Sequence, residues 1–326
     1  MINLPGLSGI ERPVILAPME GITDHTFRRI CLDAGADAGI SEFIAAEALV
    51  RLVEKSFRKM EPAHGHEIRW VQIFGNNPDA VSRAAIIAEE NGADIIDLNF
   101  GCPVKKIVHK GNGAALLKNL PLMQQIATAT VAAVSVPVTA KTRLGWDFNS
   151  LVATEAALRL QDAGIRLLTL HGRTRSQQYG GVADWNAIAE VKNNQALSIP
   201  LIGNGDIDCA EKAINVFDRC GVDGIMIGRA SIGNPWLFAQ IKMALQGKKV
   251  ILPTLAQKIE VCKKHLSDSI VQKGEKRGVL EMRKHFVHYF RGIPDFKPYK
   301  LALLKAVCSE EIEVILNQIE ASYNAH

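Results

Sequence analysis

The chain has 326 residues, 48% of them hydrophobic and 22% charged, with a net charge of +4 at neutral pH, which is the composition of an ordinary globular protein with a sizeable core. No run approaches the ~18 apolar residues of a membrane span, and the N-terminal MINLPGLSGIERP lacks the basic flank and apolar stretch of a secretion signal. The six cysteines are scattered and form no CxxC pair, which argues against zinc or any other metal site and against a disulfide framework, and for a reducing cytoplasm.

Short β-branched runs alternate with longer helical patterns along the chain. Eight runs read as strands: 13–17, 37–42, 69–74, 93–99, 136–142, 165–171, 199–204 and 222–228. Amphipathic stretches such as 78–91 and 150–163 lie between them, and Gly35, Gly92, Gly164 and Gly221 stand where a helix would stop before a buried strand. Eight alternations over ~240 residues predict an α/β fold of the (β/α)8 TIM-barrel type. An open doubly wound sheet is the second choice, because its GxGxxG fingerprint is missing after the first strand. After Gln246 the stretch GKKVILPT reads as a linker, and helical patterns follow over 255–272, 279–291 and 299–322. The expected division is therefore a barrel over 1–246 and a small all-helical C-terminal domain over 247–326.

A barrel places its functional residues at the C-terminal ends of the strands, and the unusual residues here cluster there. Pro18-Met19-Glu20 follows the first strand, Gln72 ends the third, and Asn99 ends the fourth ahead of Cys102. Lys141 and Arg143 end the fifth, His171-Gly172-Arg173 the sixth, Asn204-Gly205-Asp206 the seventh and Gly228-Arg229 the eighth. One such Gln or Asn more often satisfies backbone groups than binds a ligand, but polar residues at the top of nearly every strand point together to a site. Lys141 sits in an apolar strand and calls for an anionic partner. The glycine-bearing loops after the last two strands suit a phosphate, and Lys141 with Gln72 suits a flat heterocycle that becomes anionic. These residues lead to a phosphorylated flat cofactor, FMN the first choice, beside a pocket thiol.

Six motifs in register carry a family resemblance: APMEGITD (17–24), DLNFGCPVKK (97–106), KTRLGW (141–146), HGRTR (171–175), GNGDI (203–207) and MIGRASIGNPW (226–236). RKHFVHYFRG (283–292) extends it into the tail. Together they resemble the tRNA-dihydrouridine synthases, nearest to the B-type bacterial branch. The resemblance implies an FMN-dependent enzyme that reduces the C5=C6 bond of uridines in tRNA with NADPH. It implies that Pro18, Met19, Glu20, Gln72, Lys141, His171, Asn204, Gly205, Asp206, Gly228 and Arg229 hold FMN. Cys102 would be the catalytic acid, with Asn99, Arg143 and Tyr179 facing the uracil.

The residues around Cys102 leave three roles open. A thiol with an ordinary pKa of about 8.5 is mostly protonated at neutral pH and can deliver a proton to C5 of uracil, which a carboxyl of ordinary pKa could not. A nucleophile would need thiolate, and Lys105, Lys106 and His109 are near enough in sequence to favour it. An inert buried cysteine is the third role. General acid is the preferred reading. Pro103 restricts the preceding residue to extended geometry, which helps to aim the side chain.

The tail carries the partner. Residues 247–305 hold 14 basic and 5 acidic side chains, and charge segregation of this kind beside a near-neutral barrel suits a polyanion. Arg283 and Lys284 are the expected phosphate contacts. The competing enzyme, a dihydroorotate dehydrogenase-like barrel acting on a free pyrimidine, would have no use for such a tail. A barrel that only binds RNA would show a broken flavin set. The sequence does not reveal oligomeric state, for which a monomer is the expectation.

Overall fold

The structure, a computed structural model, describes residues 2–62 and 67–324. Among them, β1 (Val14–Leu16), β2 (Ala38–Gly39), β3 (Ile44–Ala45), β4 (Trp70–Phe74), β5 (Ile95–Asn99), β6 (Val138–Arg143), β7 (Leu168–His171), β8 (Leu201–Asn204) and β9 (Gly224–Ile227) pair in parallel in the order β2-β1-β9-β8-β7-β6-β5-β4-β3. The two ends of this sheet meet. Ile40 forms a parallel bridge with Trp70, and Ser41 N donates to the Trp70 carbonyl at 2.9 Å. The sheet is therefore a closed barrel of eight positions, and the strand expected at 37–42 is split into β2 and β3. At the split the Ser41 hydroxyl takes the Gln72 N–H at 3.0 Å, in place of a strand carbonyl.

Helices α1 (His25–Asp33), α2 (Ala46–Val50), α3 (Glu54–Arg58), α4 (Pro78–Glu90), α5 (Lys105–Val108), α6 (Leu120–Ala133), α7 (Ala153–Asp162), α8 (Trp185–Lys192), α9 (Ala210–Cys220) and α10 (Leu237–Leu245) lie in the connections and on the outside. Their ends follow from the sequence. The Asn77 side chain accepts from Ala80 N at 3.1 Å, with Pro78 in the first turn of α4, and the four hinge glycines all have positive φ. The apolar faces of these helices cover strands that are buried on both sides. Ile2, Leu4 and Leu7 pack with Ile15, Trp70 and Ile202 in a second cluster. Each such fully buried side chain contributes roughly 1.5–3 kcal/mol.

The tail forms α11 (Leu255–Lys273), α12 (Glu275–Tyr289), α13 (Lys297–Lys305) and α14 (Ser309–Asn324) around their own apolar cluster. The single helix expected over 299–322 is two, because the backbone turns extended at Ala306 (ψ 139°) and Glu311 reaches back to accept from Val307 N at 3.0 Å. α11 opens with a capping box in which Thr254 and Gln257 each bond the other's backbone N–H. The helical unit packs on α1. Phe27, fully buried, lies 5.7 Å from the His265 ring and 5.0 Å from that of His285. Arg29 pairs with Asp268, and Lys273 with Asp24. Among the described residues no helix is long and apolar enough to cross a membrane.

Candidate active site

A cavity of about 760 Å³ opens at the C-terminal ends of the strands, a size typical of small-ligand sites. Pro18, Met19, Glu20, Asn99, Cys102, Lys141, Arg143, His171, Tyr179, Asn204, Gly205, Asp206, Gly228 and Arg229 all line it. Of the residues expected from sequence, Gln72, Arg283 and Lys284 do not.

Gln72 lies one layer below, fully buried. Its Nε2 donates to Asp97 Oδ2 at 2.6 Å, and its Oε1 accepts from Asn99 Nδ2 at 2.8 Å. Asn99 Oδ1 in turn accepts the backbone N–H groups of Gly101 (3.1 Å) and Cys102 (2.9 Å). A chain of hydrogen bonds thus runs from the barrel interior to the cysteine loop, and a carboxylate at one end and N–H donors at the other set every amide in the same sense. Asp97 is also bonded by Thr139 Oγ1 at 2.6 Å, itself the acceptor for Trp70 Nε1 at 3.0 Å. Burial outweighs these bonds and pushes the Asp97 carboxyl up to about 6.

Lys141 lies in β6 and lines the cavity. Its Nζ donates to the neutral Asn204 Oδ1 at 3.0 Å, and among the described residues it has no ion pair. Burial, and secondly the charge of Arg143, lower its ammonium to about 7. Such a cation in a cavity wall has spare donors and unbalanced charge, which an anionic ligand edge would satisfy. Beside it, burial and then the charge of Lys141 hold His171 well below its ordinary value, so the imidazole is neutral.

Next to them, β8 and β9 run into the two glycine-bearing loops. Gly205 has φ +138°, and a Cβ there would stand 2.5 Å from Ala183 Cβ, so the loop can take this path only as glycine. Asp206 follows in the left-handed region (φ 53°). Its carboxylate accepts both bonds of the buried Arg173 Nη2 (2.8 and 2.7 Å), the Ala183 N–H at 2.8 Å, and Arg229 Nη2 at 3.3 Å. Asp206 therefore organises two guanidinium groups at the mouth. Arg173 is the residue that sequence reasoning left out of the site. HGR at a strand end marked it as unusual, but its partner lies in a loop more than thirty residues on.

Cys102 is 8% exposed. Its backbone is held by Asn99 and by the Ala114 N–H, which donates to the Cys102 carbonyl at 3.1 Å. Helical structure resumes at α5, directly after Pro103-Val104. Burial raises the thiol, against the pull of the Val104 N–H and of Arg143. The cations acting most on it are Arg143 and Lys141 rather than Lys105, Lys106 or His109, and they do not win. The thiol stays protonated at neutral pH. Arg143 is fixed by the carbonyls of Gly101 (2.7 Å), Thr174 (3.0 Å) and Gln178 (2.8 Å), and Tyr179 lies within 5.7 Å of its guanidinium and 5.4 Å of that of Arg229.

In the tail, Arg283 is half-buried, donating from Nη2 to the Ala306 carbonyl at 2.9 Å with Nε enclosed and unbonded. Lys284 is exposed and reaches the Gly21 carbonyl at 3.1 Å, next to the cavity loop that carries Met19 and Glu20. Glu20 is paired with Lys59 at 2.7 Å.

The sequence model described as Dihydrouridine synthase (Dus) matches residues 15–324. The chain is 41% identical over 289 residues to a "Probable tRNA-dihydrouridine synthase" of Rickettsia prowazekii (strain Madrid E), covering 88% of each chain. It is 44% identical over 287 residues to the "tRNA-dihydrouridine synthase B" of Pasteurella multocida (strain Pm70), covering 87% of this chain and 85% of that one. Among solved structures it is similar to a 2-naphthoyl-CoA reductase in complex with 2-naphthoyl-CoA, with a TM-score of 0.57 and 11% identity over 73% of this chain and 50% of that one. This chain thus spans half of that one, and the likeness concerns the fold alone.

Proposed function

The chain belongs to the dihydrouridine synthase family, and we propose on that footing that it reduces the C5=C6 bond of uridines in tRNA, with FMN as its flavin and NADPH as reductant. The residues present fit such a cofactor. Lys141 would meet the anionic edge of the ring system, with Asn204 and His171 beside it, and the loops at Gly205 and Gly228-Arg229 would hold the phosphate. Arg229, half exposed and tethered to Asp206, supplies a cation there. Gln72 supports the wall from beneath through Asn99.

The chemistry supplied by the bound flavin is hydride transfer to C6 of the uracil ring. Negative charge then develops at C5 and its conjugated carbonyl, and a proton has to reach C5. Cys102 is the group placed to deliver it. Its raised thiol keeps the proton at neutral pH until C5 becomes basic. Once the proton has left, the Val104 N–H and Arg143 stabilise the thiolate. Arg143 also offers fixed positive charge for the uracil carbonyl, without reorganisation, since three carbonyls already hold it. Asn99 fixes the cysteine loop through its side-chain oxygen.

The barrel mouth admits a nucleotide only if it is turned out of its stack, and the basic tail is read as the domain that holds the rest of the RNA by its phosphates. The observation that carries the reading is the presence in one cavity of a half-buried lysine with no ion pair among the described residues and a protonated, loop-held cysteine. The test is direct. Purified protein should be yellow and release FMN on denaturation, and tRNA from a strain lacking the gene should regain dihydrouridine when this chain is restored. Colourless protein that FMN cannot reconstitute, or unchanged tRNA, would refute it.

A further inference from the structure

The segment between β6 and α7 forms a closed finger at the barrel mouth. Val152 N donates to the Leu144 carbonyl at 2.9 Å, and Gly145 and Leu151 form an antiparallel bridge. A side chain at Gly145 would overlap the Ser150 carbonyl oxygen, so the limbs can close here only with glycine at 145. Asp147 Oδ1 accepts from Asn149 N at 3.0 Å and from Ser150 Oγ at 2.8 Å, bracing the tip. Two further bonds of 2.9 Å, Arg175 N to the Gly145 carbonyl and Ser176 N to the Trp146 carbonyl, clip the finger to the loop after β7. That loop also supplies the Thr174 and Gln178 carbonyls that hold Arg143.

At the tip, Phe148 is 69% exposed, with Leu151 at 55%. A mobile loop could fold such a ring back onto the protein. This braced turn holds it out in water, where it adds nothing to stability. At the base, Trp146 packs partly against the barrel core, and Lys118 Nζ and Arg175 Cζ lie over its indole, 3.8 and 4.5 Å from the ring centroid. The ring's attraction leaves both positive charges in place. Among the described residues neither side chain is in an ion pair, and Arg175 Nε is enclosed without an acceptor. The nearby acid, Asp147, commits Oδ1 to the turn. The three base residues come from the loops after β5, β6 and β7, on the face that carries Cys102.

We propose that this finger is an RNA contact in its own right, in which Phe148 stacks on a base beside the extruded nucleotide while Lys118 and Arg175 take the phosphodiester at that step. The proposal rests on the tRNA reading above. Extruding one base uncovers the face of its neighbour, and a ring on a rigid support covers it at little entropic cost. A phosphate at one-nucleotide spacing answers the paired cations at the base, which a purely apolar partner would leave unmatched.

The test uses the full-length, FMN-loaded protein and an unmodified tRNA transcript. Phe148→Ala should raise the KM for tRNA about tenfold, a stacking-sized loss, with Tm and flavin reduction by NADPH unchanged. Phe148→Trp should restore binding, and Phe148→Leu should not, since it returns apolar area without a π face. Lys118→Gln with Arg175→Gln should flatten the log–log salt dependence of tRNA binding by roughly 1.4–1.8. Binding by Phe148→Ala within twofold of wild type, together with an unchanged salt slope, would overturn the proposal. So would a raised KM for NADPH in place of tRNA, which would assign the finger to the dinucleotide. Wild-type protein that neither binds nor reduces tRNA would sink the parent reading as well, and is distinguished by the silence of the wild type itself.

Discussion

Lys141 Nζ donates to Asn204 Oδ1 at 3.0 Å, so this half-buried lysine of the cavity wall is bonded to a neutral amide. Asp97 raises its affinity for a proton but is not bonded to it, and burial prevails, leaving the ammonium at about 7. The protein carries this charge at a cost in stability that only a ligand offsets.

That cost has a pH signature. The unfolded chain binds this proton more tightly than the folded one, so the stability of the cofactor-free protein should rise with pH between about 7 and about 10. Lys141→Met should flatten the rise in a series of thermal melts and raise Tm at pH 7. The same variant should hold FMN at least about tenfold more weakly, the scale of one charge-assisted hydrogen bond. Unaltered FMN affinity would show that Lys141 does not face the cofactor.

Asp97 gives the opposite slope. Its folded carboxyl, at about 6, lies above the ordinary value of about 3.9. The folded state therefore holds that proton more tightly, and stability falls as pH rises from about 4 to about 6. Asp97→Asn should remove this fall and leave Tm at pH 7 equal or higher. An asparagine oxygen can still accept from Gln72, so the bonds leading to Cys102 persist and turnover should stay within about threefold. A Tm several degrees lower at pH 7 would contradict the assignment of a net burial cost.

Cys102→Ala should still bind FMN and still be reduced by NADPH, because the thiol acts only when tRNA is reduced. Turnover on tRNA should drop by about 10²–10⁴-fold, as expected for a lost general acid. In the wild type the raised thiol keeps its proton beyond the ordinary cysteine range, so single-turnover reduction of tRNA should fall away only at a pH above that range. Normal turnover by the alanine variant would place the acid elsewhere.

The two tail residues should separate. Arg283 is tied to the Ala306 carbonyl at the end of α13, so Arg283→Ala should cost about 1 kcal/mol and a few degrees of Tm. Lys284 is exposed, and Lys284→Ala should leave Tm in place and flatten the salt dependence of tRNA binding by roughly 0.7–0.9. A slope identical to wild type would leave Lys284 only its bond to Gly21.

What could be read from the chain was whatever is local or periodic. Strand runs, hinge glycines and polar strand ends located the barrel and most of the cavity wall, because in a parallel barrel position along a strand decides which end a residue faces. What could not be read depends on distant pairings. At the split of the second strand the Ser41 hydroxyl takes an N–H from Gln72, thirty-one residues away. Arg173 looked like one more strand-end polar group until Asp206 was seen bonded to it. Lys141 was expected to call for an anionic partner, and the side chain that the fold bonds to it is the neutral Asn204, sixty-three residues on. Gln72, expected in the wall, supports it from below, since only the structure shows how deep along β4 the cavity reaches.

Phe27 of the barrel is fully buried and lies against the rings of His265 and His285 of the helical unit, and burial holds both imidazoles neutral. The barrel and the helical unit are thus not interchangeable parts. A barrel cut off after α10 would lose the two imidazoles from the Phe27 ring and Lys273 and Lys284 from the loop that carries Asp24 and Gly21. Grafting a tail from a relative would succeed only if the outer face of α1 came with it. The seam is the piece that evolution and the engineer alike must move as a whole.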